Sequence, residues 1–357
     1  MSDFIVNIKD RSFSDYLILP PVKLTPERYS FAAIGGPKSA VIQMESSEQR
    51  AIWETLEWLR CPIEIIDDRQ RTVWWGYISE IEIRVGALTV RVSLANMFNK
   101  VRVLYDETAS AWVDNDESVA TYGTKELVLT LSDASADLAD ALAAAQLAAS
   151  CYPVPEISFG DPQTGYSGTL VCAGWFETLD WSYFSEETGT AVDTATQISN
   201  IATDCGEFID SIDLQVASGI TSDPYREGDN TAKYEIVALL ESGTSNGLRL
   251  LAAVNKVREL SVWEEPEADP DQPDIYITAD GRVYNEWGDP YYASVCPVGI
   301  WARLKDVIPG SLDLSIMADP TMLFIEEAEY VIANKRYYPT AKLQADPLGV
   351  GTEIVPG

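Results

Sequence analysis

Ile81-Glu82-Ile83-Arg84-Val85-Gly86-Ala87-Leu88-Thr89-Val90-Arg91-Val92-Ser93-Leu94 is the stretch that decides the fold. Ile81, Ile83 and Val85 recur at every second position, Gly86-Ala87 breaks the run, and Leu88, Val90, Val92 and Leu94 share one face opposite Thr89, Arg91 and Ser93. Period two over this length is the signature of a strand with one dry side, so the segment predicts a hairpin. Upstream, Ile63–Ile66, the turn Asp67-Asp68-Arg69-Gln70 and Val73–Ile78 predict a second strand pair. There Trp74 and Trp75 place one indole on each face, one for the core and one for a neighbour.

Between these strands and the N-terminus the period changes. Ser46-x-x-Gln49 has the form of a capping box, and Ile52, Trp53, Leu56 and Leu59 keep helical spacing until Pro62, which predicts a helix lying across a small barrel or sandwich. Leu138, Leu142 and Ala145 predict a second helix over 134–149, between strands at Leu127–Leu131 and Thr169–Ala173. A third is expected over 192–209, with Ile198, Ile201, Ala202, Cys205, Phe208 and Ile209 as its stripe. A fourth should open near Asp229-Asn230-Thr231 and close at Gly243. Period two returns at Leu248, Leu250, Ala252 and Val254, turns at Asn255-Lys256 and resumes at Leu260 and Val262. Ala279-Asp280-Gly281-Arg282 signals a turn, and Leu312, Leu314 and Ile316 alternate as a late strand.

The order predicts an α+β chain, mainly β, with two barrel or sandwich domains and a helical insertion between them. The first β domain is expected over 1–185, with helices near 48–60 and 134–149. The insertion follows over 186–246, the second β domain over 247–345 and a C-terminal tail over 346–357.

Composition removes several functions. The chain has 357 residues with 25 Lys and Arg, 56 Asp and Glu, and no histidine, a formal charge of −31. Zero histidine excludes Ser-His-Asp and Cys-His catalysis and imidazole-bound metals. The acidity argues against binding nucleic acid or anionic membranes, both of which need concentrated Lys and Arg. Cys61, Cys151, Cys172, Cys205 and Cys296 lie far apart with no C-x-x-C pair, so reduced, buried thiols of a cytosol-made protein are expected. The N-terminus has no apolar core behind a basic start, and no apolar run reaches the roughly 20 residues of a membrane span.

Apparent motifs have plainer readings. Gly243-Thr244-Ser245-Asn246-Gly247 fits G-x-S-x-G, but a helix precedes it and no histidine base exists, so it reads as a helix C-cap and loop. Gly35-Gly36-Pro37-Lys38-Ser39 lacks the upstream glycine and following helix of a phosphate loop and reads as a tight connection. Asp269, Asp271 and Asp274 alternate with prolines rather than following a calcium-loop spacing, which indicates a solvated acidic loop. No cofactor is expected. Ten tryptophans and seventeen tyrosines suit either a sugar platform or a protein interface. Trp53, Trp74, Trp75, Trp112, Trp263 and Trp301 are the candidate interface anchors, with burial in the chain's own core as the default for each.

Several stretches resemble the tail-tip proteins of tailed bacteriophages, in particular the baseplate hub. Asp116-Glu117-Ser118-Val119-Ala120-Thr121-Tyr122-Gly123-Thr124-Lys125-Glu126 resembles the D-x-x-S-I-x-x-Y-G-x-R-E stretch of these proteins through Ser118, Tyr122, Gly123 and Glu126, with Asp116 one position nearer the serine than the pattern's Asp and Lys125 in place of the usual Arg. Val73–Ile78 followed by Val92-Ser93-Leu94 and Val101-Arg102-Val103 is similar to the first hub barrel, and Tyr152-Pro153 and Gly168–Gly174 running into Trp175 resemble the same region. The resemblance is strongest over residues 60–180 and none of its motifs is catalytic. It implies a structural virion protein without enzymatic activity, made and assembled in the host cytoplasm. It further implies a homotrimer forming a pseudo-sixfold ring of hub-type domains. Such a ring joins the tail tube to distal tip proteins and lets DNA pass, contacting distal tail, tape-measure and tip or fibre proteins. The alternatives are a distal tail protein in a hexameric ring and a carbohydrate-binding or glycosidase tail module using paired carboxylates.

Overall fold

The computed structural model describes residues 4–105, 108–269, 272–278, 282–285, 287, 293–305 and 322–343. The chain is α+β and mainly β, with a large sheet curled into a half-barrel and helices against it.

The hairpin forms as its pattern dictates. Thr72–Val85 pairs antiparallel with Leu88–Ser93 across Gly86 and Ala87, and Gly86 takes a left-handed φ of 63°, the conformation that a two-residue hairpin loop requires and glycine supplies. Leu24, Met44, Gly168, Ile83, Val90 and Ile157 stand directly opposite one another across six strands, Lys23–Ala32, Ile34–Ser46, Tyr166–Ala173, Thr72–Val85, Leu88–Ser93 and Glu156–Phe159. Opposed residues share a face, so this row runs along the dry side of the sheet. The neighbouring row, Gln43, Thr169, Glu82, Arg91 and Glu156, is polar and carries the ion pairs Arg91–Glu80 and Arg91–Glu156 on the wet side.

Helix α1, Gln49–Glu54, lays the fully buried Ile52 on the dry face and passes into a 3-10 turn at Thr55–Trp58. It is shorter than the expected 48–60, and the capping box does not form. Ser46 still belongs to the strand Ile34–Ser46, and its hydroxyl is occupied by the Pro21 carbonyl and the Glu48 amide.

Residues 98–151 build a unit that periodicity alone does not separate from the barrel. Lys100–Tyr105 runs parallel to Glu126–Leu131, and the crossover between them carries α2, Asp116–Tyr122. Helix α3, Ala136–Ser150, close to the expected 134–149, packs Ala139 and Ala143 against Val101 and Val103 in a small core of its own. Its cap is Ser135, whose side chain accepts from the Leu138 amide.

The region 186–246 holds α4, Thr194–Cys205, and α5, Ala232–Ser242, but also the strands Ser211–Leu214 and Arg226–Thr231. Helix α4 stops short of 209 at Gly206, whose backbone leaves the helix with φ −88° and ψ 62° at a place where a Cβ would lie 2.3 Å from the Ala202 carbonyl oxygen, and Phe208 and Ile209 continue outside the helix. Thr231 caps α5 through its side chain, and Gly243 closes it with φ 75°. The G-x-S-x-G stretch is the helix end and loop its context predicts, and Thr244 Oγ1 donates to Glu264 at 2.6 Å.

The two strand-rich regions are continuous. Lys23–Ala32 pairs antiparallel with Met322–Val331 from Arg28↔Val331 to Ala32↔Glu327, and Leu250–Val254 bridges Ile34 and Gly35 in parallel. Among the described residues one hydrogen-bonded sheet of sixteen strands therefore spans both regions, and one core cluster runs from Val6 to Tyr337. The strand expected at Leu312–Ile316, the tail from 346 and most of the 279–282 turn lie outside the described residues. Among the described residues no helix is long and apolar enough to cross a membrane.

Candidate functional site

The stretch 116–126 folds into a buried polar lock. Asn115 caps α2 by accepting from the Ser118 amide at 2.9 Å, with Asp116 in the first turn where the helix dipole favours a carboxylate. Ser118, with no exposure, donates its hydroxyl to the Cys151 carbonyl and lies 3.3 Å from Asn99 Nδ2. The same Asn99 amide donates to the Gly123 carbonyl at 2.8 Å and accepts from the Lys125 backbone amide at 2.7 Å. Gly123 takes φ 85°, and a Cβ there would lie 2.2 Å from Phe208 Cζ, so only glycine fits. Tyr122 is half-buried, its ring 5.2 Å from the Arg11 guanidinium.

Lys125 and Glu126 carry the lock into neighbouring layers. Lys125 is 8% exposed, and its ammonium donates to the carbonyls of Leu94 at 2.5 Å and Ala95 at 2.9 Å, with the Phe98 and Trp181 rings 4.9 and 5.7 Å away. Burial pulls its pKa down to about 8, against a weaker opposing pull from Asp180. Glu126 accepts from Lys100 Nζ at 2.8 Å and from the Tyr183 amide at 2.7 Å. The buried members of the stretch, Ser118, Lys125 and Glu126, spend their polar groups on neighbouring layers, while Asp116 and Glu117 face solvent.

A second convergence was invisible in sequence because its members are remote. Phe13, Arg60 and Arg258 all hold left-handed backbone, φ 65°, 68° and 63°. The Arg258 guanidinium lies 3.5 Å from the Phe13 ring centre and pairs with Asp210. The Arg60 guanidinium lies 5.6 Å from Phe13 and 5.1 Å from Phe208. Trp175 completes the stack at 5.2 and 5.7 Å from the same two rings. Arg60 Nη2 donates to the Arg11 carbonyl at 2.7 Å, its Nε and Nη1 have no hydrogen-bond partner among the described residues, and burial lowers its pKa to about 10. The rings' negative faces supply what acceptors do not. This joint pins the N-terminal loop, the α1 exit, the 254–259 turn and the segment before Ser211–Leu214 to one point.

The six candidate anchor tryptophans do not form one surface. Trp74, with no exposure, and Trp301, at 7%, are consumed by the chain's own core and have no area left for a partner; this corrects their assignment as interface anchors. Trp301 also donates from Nε1 to the Pro266 carbonyl at 2.7 Å, and its backbone amide donates to Asp274 at 2.8 Å. Trp75 is half-buried, and the neighbour it meets is the same chain, through Nε1 to the Val254 carbonyl at 3.0 Å. Trp112 is half-buried beneath Lys100 and Arg102 at 4.9 and 4.6 Å, and Trp263 is half-buried on Glu259–Glu264. Trp53 alone of the six reaches 36% exposure.

Among the exposed apolar side chains, which also include Ile18, Val154, Val257 and Trp287, two stand on one sheet strand, Glu156–Phe159. The dry row is fully buried at Met44 and Ile83, 5% exposed at Val90 and then 64% exposed at Ile157, with Phe159 on the same face at 79%. This strand pairs only with Leu88–Ser93 among the described residues, so its outer edge is open. Strand alternation was the signal that could have found it, but Glu156-Ile157-Ser158-Phe159 is too short to stand out.

A cavity of about 240 Å³ adjoins the arginine–aromatic joint, between Lys9, Trp75, Trp175 and Lys256, and one of about 310 Å³ lies beside α4. Among the described residues no three acidic or cysteine side chains are placed to hold a metal ion.

No protein-family model and no curated protein matches the chain. Among solved structures it is similar to the 43 kDa tail protein of prophage MuSo2 from Shewanella oneidensis, at 6% identity and a TM-score of 0.47 over 95% of this chain and 98% of that one. It is also similar to a tail protein from Neisseria meningitidis MC58, at 8% identity and a TM-score of 0.40 over 94% of each chain. A third is the prophage tail protein gp18 from Listeria monocytogenes EGD-e, at 7% identity and a TM-score of 0.39 over 94% of this chain and 93% of that one.

Proposed function

We propose that this chain is a structural subunit of a bacteriophage tail, the baseplate hub at the tail tip, which assembles into a ring and has no enzymatic activity of its own. The observation that carries the assembly reading is the dry sheet face that runs uncovered onto an open edge strand at Ile157 and Phe159. Burying both side chains against a neighbour stabilises by roughly 1.5–3 kcal/mol each, and an open edge offers its backbone groups to another strand. The resemblance of residues 116–126 and 73–78 to hub proteins supplies the tail-tip assignment. The polar lock supports a scaffold role, since its residues spend their hydrogen bonds on internal rigidity.

In this reading the ring is a homotrimer that joins the tail tube to distal tip proteins. Its acidity serves a duct for DNA, because carboxylates on the wall repel phosphate whereas basic residues would hold it through counterion release. Sedimentation of the purified chain and class averages of the assembled particle test the proposal. A threefold ring at this protein's radius is expected. A sixfold ring would transfer the chain to the distal tail class, and turnover of host-surface polysaccharide by the purified chain would overturn the non-enzymatic reading.

A further inference from the structure

We propose that Asn246 is a self-modification site, which loses its side-chain amide to the Gly247 backbone nitrogen and thereby releases the loop after α5 from Glu264. Asn246-Gly247 is the sole Asn-Gly pair in the sequence, and it lies in the G-x-S-x-G stretch that the tail role leaves unused.

The fold places glycine there for its backbone. The Gly247 amide donates to the Thr244 carbonyl at 2.9 Å and the Thr244 amide to the Leu248 carbonyl at 2.8 Å. This is a β-turn that passes into left-handed backbone at Gly247, φ 80°, a conformation glycine adopts without cost. Asn246, one position earlier, is exposed, and a Cβ at Gly247 would meet nothing within 4 Å. No side chain therefore shields the Gly247 nitrogen from the Asn246 side-chain carbonyl carbon, and asparagine is among the thermolabile residues.

In the closed turn the Gly247 N–H is held by Thr244. An exposed loop opens far more readily than the core, and each opening frees that nitrogen to attack Asn246 Cγ. The new C–N bond closes a cyclic imide, the Cγ–Nδ2 bond breaks, and the amide nitrogen leaves as ammonia with the proton from Gly247. Water then adds to either imide carbonyl and opens the ring, which leaves aspartate or isoaspartate.

Glu264 gives the change its consequence. A single carboxylate oxygen, Oε1, accepts from Thr244 Oγ1 at 2.6 Å and from Asn246 Nδ2 at 3.2 Å. The Ser245 amide adds a bond to the Ser218 carbonyl at 2.8 Å, so the turn ties the end of α5 to Glu259–Glu264 and to the 218 segment. Deamidation replaces a donor by a second carboxylate beside Glu264, and attraction becomes repulsion. Isoaspartate also lengthens the backbone by a methylene, which spoils the closure between Thr244 and Leu248.

The inference does not depend on the tail reading, because the isolated chain suffices to test it. After incubation of the folded protein in mildly alkaline buffer, peptide mapping by mass spectrometry should find aspartate and isoaspartate at 246 ahead of every other asparagine. Asn246→Asp, at an exposed position, should speed hydrogen exchange at the amides of Thr244, Ser245 and Gly247 about tenfold. Adding Glu264→Gln, whose amide donates to the new carboxylate, should restore most of that protection. Survival of Asn246 while other asparagines convert overturns the proposal. So does exchange that Asn246→Asp leaves unchanged, or a loss of protection that Glu264→Gln does not repair.

Discussion

The Arg258 guanidinium stacks 3.5 Å from the centre of the Phe13 ring, and both residues adopt left-handed backbone to do so. A non-glycine residue held at positive φ costs about 1 kcal/mol or more, and Arg60 makes a third such residue in the same stack. The contact must offset that cost, so Phe13 is central to it. Phe13→Ala should lower stability by about 2–3 kcal/mol through lost burial and two lost cation–π contacts. Urea unfolding of the variant checks this, and a change below about 0.5 kcal/mol would show that the joint carries no weight.

Gly123→Ala should be among the most damaging small substitutions in the chain. The added methyl meets Phe208 while the backbone holds φ 85°, so both strain and overpacking act, together about 2–4 kcal/mol. Thermal unfolding measures it. Gly86→Ala is the control, since a Cβ at Gly86 has open space and only its φ of 63° is strained, and its loss should stay near 1 kcal/mol.

Lys125 gives the protein an alkaline signature. Its ammonium releases a proton near pH 8 when folded and near 10.5 when unfolded, so between those values the unfolded chain holds more protons and stability rises with pH. The gain should be about 1–2 kcal/mol between pH 8 and about pH 9.5, before the tyrosines ionise. Lys125→Met should remove that slope. Denaturation midpoints across the range decide it, and a slope that survives the substitution belongs to another group.

Ile157→Asp with Phe159→Asp should leave the monomer's stability within about 0.5 kcal/mol, since both side chains face solvent. Assembly should weaken by about tenfold or more. Sedimentation velocity separates the two effects. Unchanged assembly in the double variant would move the subunit contact to another face.

Much of the fold was legible because its strands are long and one-sided. The 81–94 hairpin, α3 and α5 read directly from spacing. Helix α1 and α4 were overestimated because Ser46 and Phe208 match a helical pattern yet are claimed by a strand end and by the arginine–aromatic stack. The continuity of the sheet from Arg28 to Val331 joins residues about three hundred positions apart, a distance no local period reports. The family-like stretch was visible as a pattern, but its meaning came from Asn99, which lies seventeen positions before Asp116 and satisfies both Gly123 and Lys125.

All five cysteines are unpaired, and Cys61, Cys151, Cys172 and Cys296 are buried. Burial pushes the thiols of Cys61, Cys172 and Cys296 upward and that of Cys205 to about 12. Oxidants and mixed-disulfide exchange act on the thiolate, so these sulfurs stay inert while the chain stays folded. In the tail role proposed above, the particle would pass from a reducing cell interior into open, aerated surroundings with no reductase to repair it. Ageing of the chain there would be set by transient opening of the fold rather than by sulfur chemistry, and peroxide should modify its thiols only as fast as the chain opens.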